Sequence, residues 1–238
     1  MPTPSQNINK NLDAQFKNHN YLPQKLLLED LDGGALKYFK DINLTVQDQN
    51  DNMVPIPVIF LNQERWAEFR NDWKYLKDEG GTEVTMPFMT LRRVSVKAAE
   101  HPLKRATIPF NKNFMTIKVP IFDGVLKGYD MYKIPQAPRI DIAYELRFFS
   151  HYMEDANVSY ENILGEIFPN KQAYMNINGY YVFMDLSDTN EDGNMDEITA
   201  DRRFQIVYNI VLHGKIVDPT KFEKVPTINK IKVSFREN

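Results

Sequence analysis

The residues with the clearest potential for chemistry form an acidic stretch at residues 188–196. Its sequence, D-T-N-E-D-G-N-M-D, places oxygen ligands at alternate positions before Gly193, as in the first half of a calcium-binding loop. The twelfth position is Thr199, where such a loop needs a bidentate glutamate. Apolar alternation on both sides predicts flanking strands instead of helices. An acidic, Asn- and Gly-rich composition is also typical of a hairpin loop, so we favour a plain loop over a calcium-stabilised binding module.

The four histidines do not form a catalytic or metal-binding motif. They stand at positions 19, 101, 151 and 213, without the H-E-x-x-H spacing of a zinc enzyme. The chain also lacks a G-x-S-x-G nucleophile elbow and a G-x-x-x-x-G-K phosphate loop. His151 and His213 extend the polar faces of predicted strands, so we interpret both as structural and not as pH sensors or ligands. We therefore predict no catalytic residue, no cofactor and no metal site. An enzyme would need carboxylates that only the fold brings together.

The densest basic patch comprises Arg92, Arg93, Lys97, Lys104 and Arg105. A solvated face or a protein interface is favoured over a DNA-facing patch, because no aromatic residues are interleaved for stacking on bases. Adjacent strand residues point to opposite faces, so at most one of the two neighbouring arginines could line a channel.

Composition and charge exclude several functional classes. The chain has 238 residues, 42% of them hydrophobic and 26% charged, which is enough for one large globular domain. A net charge of -3 provides no global positive field for nucleic acid. The absence of cysteine excludes disulfides and thiolate zinc sites. Neither a signal-peptide pattern nor a run of about 18 apolar residues is present, so we expect a soluble protein made in a cytoplasm.

One predicted strand is unusually long. Every even position from Ile140 to Phe148 is apolar, and the odd positions are mostly charged. This alternation predicts a strand with one buried and one wet face. A strand over residues 139–152 would extend for roughly 45 Å at ~3.3 Å per residue, far beyond the usual length. Such length indicates a protein that builds an assembly from copies of itself.

The remaining elements are predicted from alternation, helical spacing and turn signals. Residues 42–46 and 54–60 alternate as a first hairpin, in which Pro55 and Pro57 indicate an edge strand. Asp123-Gly124 indicates the tip of a second hairpin. Helices are predicted from Asn62 to Gly80, with both tryptophans on one stripe, and over 155–168, ending at Pro169. Further strands are predicted over 84–97, 180–186, 204–212 and 228–235.

These elements predict an α+β fold, a largely antiparallel twisted sheet covered by two helices. Residues 1–22 are rich in Asn, Gln, Lys and Pro and are predicted to form a mobile arm. A single domain is expected over 23–219, with residues 107–135 as a projecting β-hairpin. Residues 220–238 are expected to form an extension with one strand. A two-stranded hairpin is marginal alone in water, so this one is expected to dock on the domain or on a neighbouring subunit.

Several segments together resemble a phage protein family. The order V-P-I-P-V-I-F, W-A-E-F-R-N-D-W and P-R-I-D-I-A-Y-E-L-R-F-F-S-H-Y-M-E-D is similar to the tail-completion and sheath-stabiliser proteins of contractile-tailed bacteriophages. The later pair D-L-S-D-T-N-E-D-G and D-R-R-F-Q-I-V-Y-N-I-V-L-H-G-K-I-V-D-P adds to the likeness. It covers residues 54–96 and 136–219, while the arm and the hairpin at 108–134 have no counterpart in that family.

The resemblance implies a ring-forming tail terminator without enzymatic activity. Six or twelve copies would cap the tail tube, join it to the neck or connector, and surround DNA that passes without sequence-specific binding. Contact with tail tube, and with sheath where one exists, is implied as well. A neck ring beneath the portal of a short-tailed phage is the alternative. The implied location is the virion, after assembly in the bacterial cytoplasm, with no membrane partner.

Overall fold

The structure, a computed structural model, describes residues 21–47, 53–62, 85–99, 114–123, 125–195 and 202–226. Two α-helices lie in these ranges, α1 (Leu28–Asp41) and α2 (Met153–Asn162). The strands are β1 (Thr45–Gln47), β2 (Met53–Pro55), β3 (Val58–Phe60), β4 (Phe88–Ala98), β5 (Phe114–Asp123), β6 (Val125–Pro135), β7 (Arg139–Ser150), β8 (Gln172–Ile177), β9 (Tyr180–Met195), β10 (Arg202–Lys215) and β11 (Glu223–Val225). Neither described helix is long and apolar enough to cross a membrane.

The described residues fall into two compact units. The larger unit contains the described parts of Leu27–Glu100 and Arg139–Lys215. The smaller contains those of Met1–Leu26, His101–Pro138 and Ile216–Asn238. The domain boundaries predicted from the sequence at residues 22 and 219 follow a different division and stay predictions. Most of the predicted arm, residues 1–20, and the predicted strand at 228–235 lie outside the described residues.

A six-stranded sheet forms the larger unit, in the order β3-β4-β7-β10-β9-β8. All its pairs are antiparallel except β3 with β4. The long strand β7 pairs with β10 from Arg139↔Lys215 to Ser150↔Phe204. Its even positions are buried throughout, which confirms the predicted alternation. The strand ends at Ser150 and not at residue 152, because the Ser150 hydroxyl accepts the Tyr152 amide and donates to Asp155 at the start of α2.

Both described helices contact the face of this sheet that carries the even positions of β7. In α1, Leu31, Ala35 and Phe39 repeat every four residues and are buried. A Cβ added at Gly34 would lie 2.5 Å from Cδ1 of Ile177, so the close approach of α1 to β8 requires glycine there. In α2, Tyr160 stacks on Tyr208 of β10 with 6.4 Å between ring centroids. The predicted α+β class is thereby confirmed in outline: mostly β-sheet, antiparallel-rich and curled, with two helices.

Helix α1 was not predicted from the sequence, and α2 was predicted with different limits. Two consecutive glycines, Gly33 and Gly34, lie in the middle of α1 and weaken its helical pattern. The helix predicted over 155–168 begins at Met153, and Ile163–Ile167 form a π-helical turn before Pro169. The other predicted helix, with both tryptophans, lies outside the described residues apart from its first position.

The first predicted hairpin is wrong in its second half. Strands β1 and β2 form a short antiparallel pair, but the chain leaves this pair at Pro55 and re-enters a different sheet as β3, parallel to β4. Ile42 caps the end of α1 and belongs to no strand. The prolines explain the break, since neither has an amide hydrogen for a continuous ladder. The carbonyl of Pro57 accepts the Met89 amide, and β3 is the edge of the sheet, as the prolines predicted.

The acidic stretch was predicted to be a loop, and this prediction is wrong for residues 187–195. Strand β9 continues from Tyr180 to Met195, paired with β10. A bulge at Ser187 shifts the register, since Leu186 faces Ile210 and Asp188 faces Asn209. The Ser187 hydroxyl donates to the Asn209 carbonyl at 3.0 Å. A long partner strand can hold polar residues in a ladder that their own turn propensity opposes. Extended backbone in this stretch differs from the tight turn that a calcium loop needs.

A second sheet, of three strands in the order β11-β6-β5, forms most of the described smaller unit. Strands β5 and β6 pair from Phe114↔Pro135 to Asp123↔Val125, so the hairpin predicted from Asp123-Gly124 is confirmed. Leu26 and Val217 form an isolated bridge in the same unit and are both buried.

Candidate assembly surface

One face of the β5–β6 hairpin is mostly apolar. The register of β5 and β6 places alternate residues on one side. This apolar hairpin face consists of Met115, Ile117, Val119, Ile121, Tyr132 and Ile134. Of these six side chains, only Ile134 is buried, whereas Met115 is 57% exposed. A sheet face of this composition normally packs against another layer.

The opposite face of the same sheet is mixed and carries charge. Lys133 forms an ion pair with Glu223 of β11 at 3.7 Å, and its ammonium lies 4.2 Å from the centroid of the Phe114 ring. Lys118 is exposed on this side. Charged groups that remain hydrated favour solvent on this face.

An ion pair lies on the same side of the sheet as the apolar hairpin face. Lys224 contacts Asp130 at 2.6 Å, and this hydrogen bond raises the pKa of Lys224. Register places Asp130 directly opposite Val119 and Lys224 opposite Tyr132, so this ion pair lies within the face. Protein–protein interfaces combine apolar area with polar contacts, and a face of this composition is compatible with one.

Arg92 of the predicted basic patch belongs to a part-buried ion-pair network in the six-stranded sheet. Arg92 Nη2 donates to Glu145 Oε2 at 2.9 Å, and Arg147 donates to the other carboxylate oxygen. Burial by itself would raise the pKa of Glu145, but the hydrogen bonds and charges of Arg147 and Arg92 outweigh it, and the pKa lies below its ordinary value. The carboxylate is therefore ionised and held between two cations.

Arg93 lies on the opposite face of β4, as the strand geometry predicted. Its Nη1 donates to Asp32 Oδ2 at 2.6 Å, and the Tyr144 hydroxyl donates to Asp32 Oδ1 at 2.6 Å. Burial raises the pKa of Asp32, against the lowering effects of Tyr144 and Arg93. Burial and Asp32 together raise the pKa of Tyr144. This network joins α1 to β4 and β7.

The basic patch is thus divided by the fold. Lys97 is exposed and faces Asp141 across the strand pair, while Lys104 and Arg105 lie outside the described residues. Two of the five cations form part-buried ion pairs with carboxylates of the same chain, which the predicted solvated face or protein interface did not include.

His213 joins three strands on the exposed face of the large sheet. Its Nδ1 lies 2.7 Å from Asp141 Oδ1 on β7, and its Nε2 lies 3.0 Å from Asp185 Oδ2 on β9. The ring also stacks against Phe183 with 5.6 Å between centroids. The two carboxylates contact opposite edges of the imidazole, so the three side chains do not converge on one point. In the described parts of the chain, no group of three His, Cys, Asp or Glu side chains could hold a metal ion.

Of the other three histidines, one lies within the described residues. His151 is exposed just beyond the end of β7, and His19 and His101 lie outside the described residues. The edge strand β8 was not predicted from the sequence. Its signal was Asn178-Gly179, a two-residue hairpin turn with positive φ at both positions.

Comparison with known proteins provides no family assignment. The resemblance to a phage family stays a prediction from the segments quoted above. No protein-family model matches this chain, and no curated protein matches it significantly in sequence.

Proposed function

We propose that this protein is a virion structural protein that forms a ring at the head–tail junction of a bacteriophage. The ring caps the tail tube and joins it to the neck or connector. Two kinds of observation support the proposal. The first is the resemblance of residues 54–96 and 136–219 to tail-completion proteins. The second is the part-exposed apolar hairpin face, and it is the structural observation on which the proposal depends.

The apolar hairpin face supplies the energy for assembly. A copy or tail component that covers one of its aliphatic side chains gains on the order of 1 kcal/mol. Several such side chains per contact, repeated at every subunit of a closed ring, give a stable assembly without a reaction or cofactor. In this proposal the hairpin projects from the body, the helices cover one face of the large sheet, and the arm contacts a partner.

The remaining partners follow from charge and from the family resemblance. A net charge of -3 and the pairing of Arg92 and Arg93 with carboxylates suit a lumen through which DNA slides without sequence-specific binding. The ring is part of the virion and is assembled in the bacterial cytoplasm. Six copies suit a contractile tail. A neck ring beneath the portal of a short-tailed phage, with twelve copies, is the alternative within the same class.

A matched pair of substitutions in β5 tests the proposal. Val119 lies on the apolar hairpin face and Lys118 on the opposite one, so Val119→Glu and Lys118→Glu introduce the same side chain one residue apart. The wild type should give closed rings by mass photometry and negative-stain imaging. Val119→Glu should abolish them, and Lys118→Glu should retain them, because a carboxylate buried in the contact loses its hydration and is repelled by Asp130 directly opposite.

Two results would contradict the proposal. The first is a wild-type chain that stays monomeric at high concentration, both alone and with purified tail tube. The second is unchanged ring formation by Val119→Glu, which would exclude the apolar hairpin face as the contact. Circular dichroism of both variants checks that the fold is retained.

A further inference from the structure

The outer edge of the large sheet at β8 lacks the features that keep edge strands from pairing. Strand β8 is Gln172–Ile177, with the sequence Q-A-Y-M-N-I and only β9 as a partner among the described strands. It contains no proline, no charged side chain and no bulge. Natural proteins normally protect an edge with one of these devices. The other edge of the same sheet, β3, is three residues long and follows two prolines.

The two faces of β8 differ sharply. Ala173, Met175 and Ile177 are buried, and the alternate positions are exposed, with Tyr174 at 64%. Beside it on β9, Tyr181 is 83% exposed. A strand added at this edge would therefore need apolar side chains on one face and polar ones on the other.

One stretch of this chain has that pattern. Residues 227–238, T-I-N-K-I-K-V-S-F-R-E-N, lie outside the described residues. Ile231, Val233 and Phe235 alternate with polar or basic residues at 230, 232, 234 and 236. The alternation matches the two faces of β8, apolar beside the buried row and polar beside the exposed row.

Charge complements the pattern. Between residues 172 and 190, strands β8 and β9 carry only acidic charges, at Asp185 and Asp188. Asp185 of β9 pairs with Gln172 of β8, so it lies one strand inward from the edge. The segment 227–238 contains three basic residues and one acidic residue. A lysine on an added strand would extend toward Asp185, which His213 already contacts, so charge adds to the alternation pattern without replacing it as the main argument.

We infer that the outer edge of β8 is an acceptor site for the segment 227–238 of a second copy of this chain, added as a further strand of the sheet. Backbone hydrogen bonds along the edge supply affinity, and the apolar and basic rows select face and register. The inference rests on the proposed ring and names one contact between its neighbouring subunits.

Disulfide trapping tests the inference directly, because the chain contains no cysteine. Single substitutions Gln172→Cys, Tyr174→Cys or Asn176→Cys on β8 are each mixed with Lys230→Cys, Lys232→Cys or Ser234→Cys on a size-tagged chain. Paired residues on adjacent strands bring Cα atoms within disulfide range. One register should give a mixed disulfide on a non-reducing gel, about tenfold more abundant than that of an exposed control, Glu161→Cys in α2.

The outcomes separate this inference from the proposed function. Rings without any mixed disulfide above the control would overturn the inference and leave the ring in place. A chain that carries both substitutions serves as a further variant. If its disulfide forms only within one chain, the inference is also overturned, because the segment then binds its own β8. If neither rings nor disulfides form, the ring proposal fails too. Deleting residues 227–238 should weaken association between subunits about tenfold or more, with an unchanged circular dichroism spectrum of the isolated chain.

Discussion

The two sheets of this protein treat their apolar residues differently. In the six-stranded sheet, the inward positions of β7 are all buried and α1 and α2 contact them. In the three-stranded sheet, five of the six residues of the apolar hairpin face keep partial or full exposure. The alternation of the sequence is similar in both. Amphipathic alternation therefore predicts a strand, but it does not show whether the same chain covers the apolar face of that strand.

Truncation of an aliphatic side chain to alanine should change the free energy of unfolding most in the six-stranded sheet and much less in the three-stranded sheet. Leu146→Ala, at a fully buried position of β7, should lower the free energy of unfolding by about 3 kcal/mol, because it leaves a cavity. Ile117→Ala, on the apolar hairpin face, should lower it by less than about 1 kcal/mol in the isolated chain. Urea denaturation followed by circular dichroism measures both. Equal losses would contradict the contrast between the sheets.

A second prediction concerns the ion network of the large sheet. Glu145→Gln should cost about 2 kcal/mol near neutral pH, since Arg92 and Arg147 lose their shared counter-charge in a part-buried site. The folded pKa of Glu145 lies below its ordinary value of 4.5. Its stabilisation is therefore complete above pH 4.5 and is lost as the pH falls through the folded value.

Denaturation at several pH values measures this dependence. The difference between wild type and Glu145→Gln should shrink as the medium becomes acidic. The control is Glu223→Gln in the three-stranded sheet, where the carboxylate is exposed and the change in stability should not be measurable. A constant difference across the acid range would show that the charge of Glu145 is not what stabilises the sheet.

The smallest expected effect is at Asp32, with the opposite dependence on pH. Asp32→Asn should cost about 1 kcal/mol in acid, because an amide has one acceptor oxygen, whereas the carboxyl accepts from both the Tyr144 hydroxyl and Arg93. Burial raises the folded pKa of Asp32 above 3.8, so its contribution to stability falls as the pH rises from 3.8 through the folded value. The cost of the substitution should therefore be larger in acid than at neutral pH. The reverse trend in a pH series would contradict the raised pKa.

Strong alternation in the sequence was sufficient for the main strands. The interior of β7, the strand at β10 and the hairpin at Asp123-Gly124 were all predicted, because side-chain period and turn residues are local signals. The opposite faces of Arg92 and Arg93 follow from the same period. Their carboxylate partners, Glu145 and Asp32, were not predicted, since each lies more than 50 residues away along the chain.

Weak or conflicting local signals were decided by tertiary contacts. Gly33 and Gly34 weaken the helical pattern of α1, so the helix was not predicted. Gly34 allows the close contact of the helix with Ile177, which is remote in sequence. Polar residues after Leu186 suggested a loop, but β10 extends far enough to pair with them as strand. The two prolines near β3 were recognised as an edge signal, but their effect of moving the chain into another sheet depends on the position of β4.

Local sequence patterns were enough to assign the strand periods, the hairpin tip, the fold class and the lack of recognisable catalytic motifs. Each of these depends on residues close together in the chain. Contacts between distant parts of the chain set which apolar faces are buried, which carboxylates pair with the arginines, and which edge of the large sheet is left without a described partner. Those properties depend on distances between remote residues, which no local pattern contains.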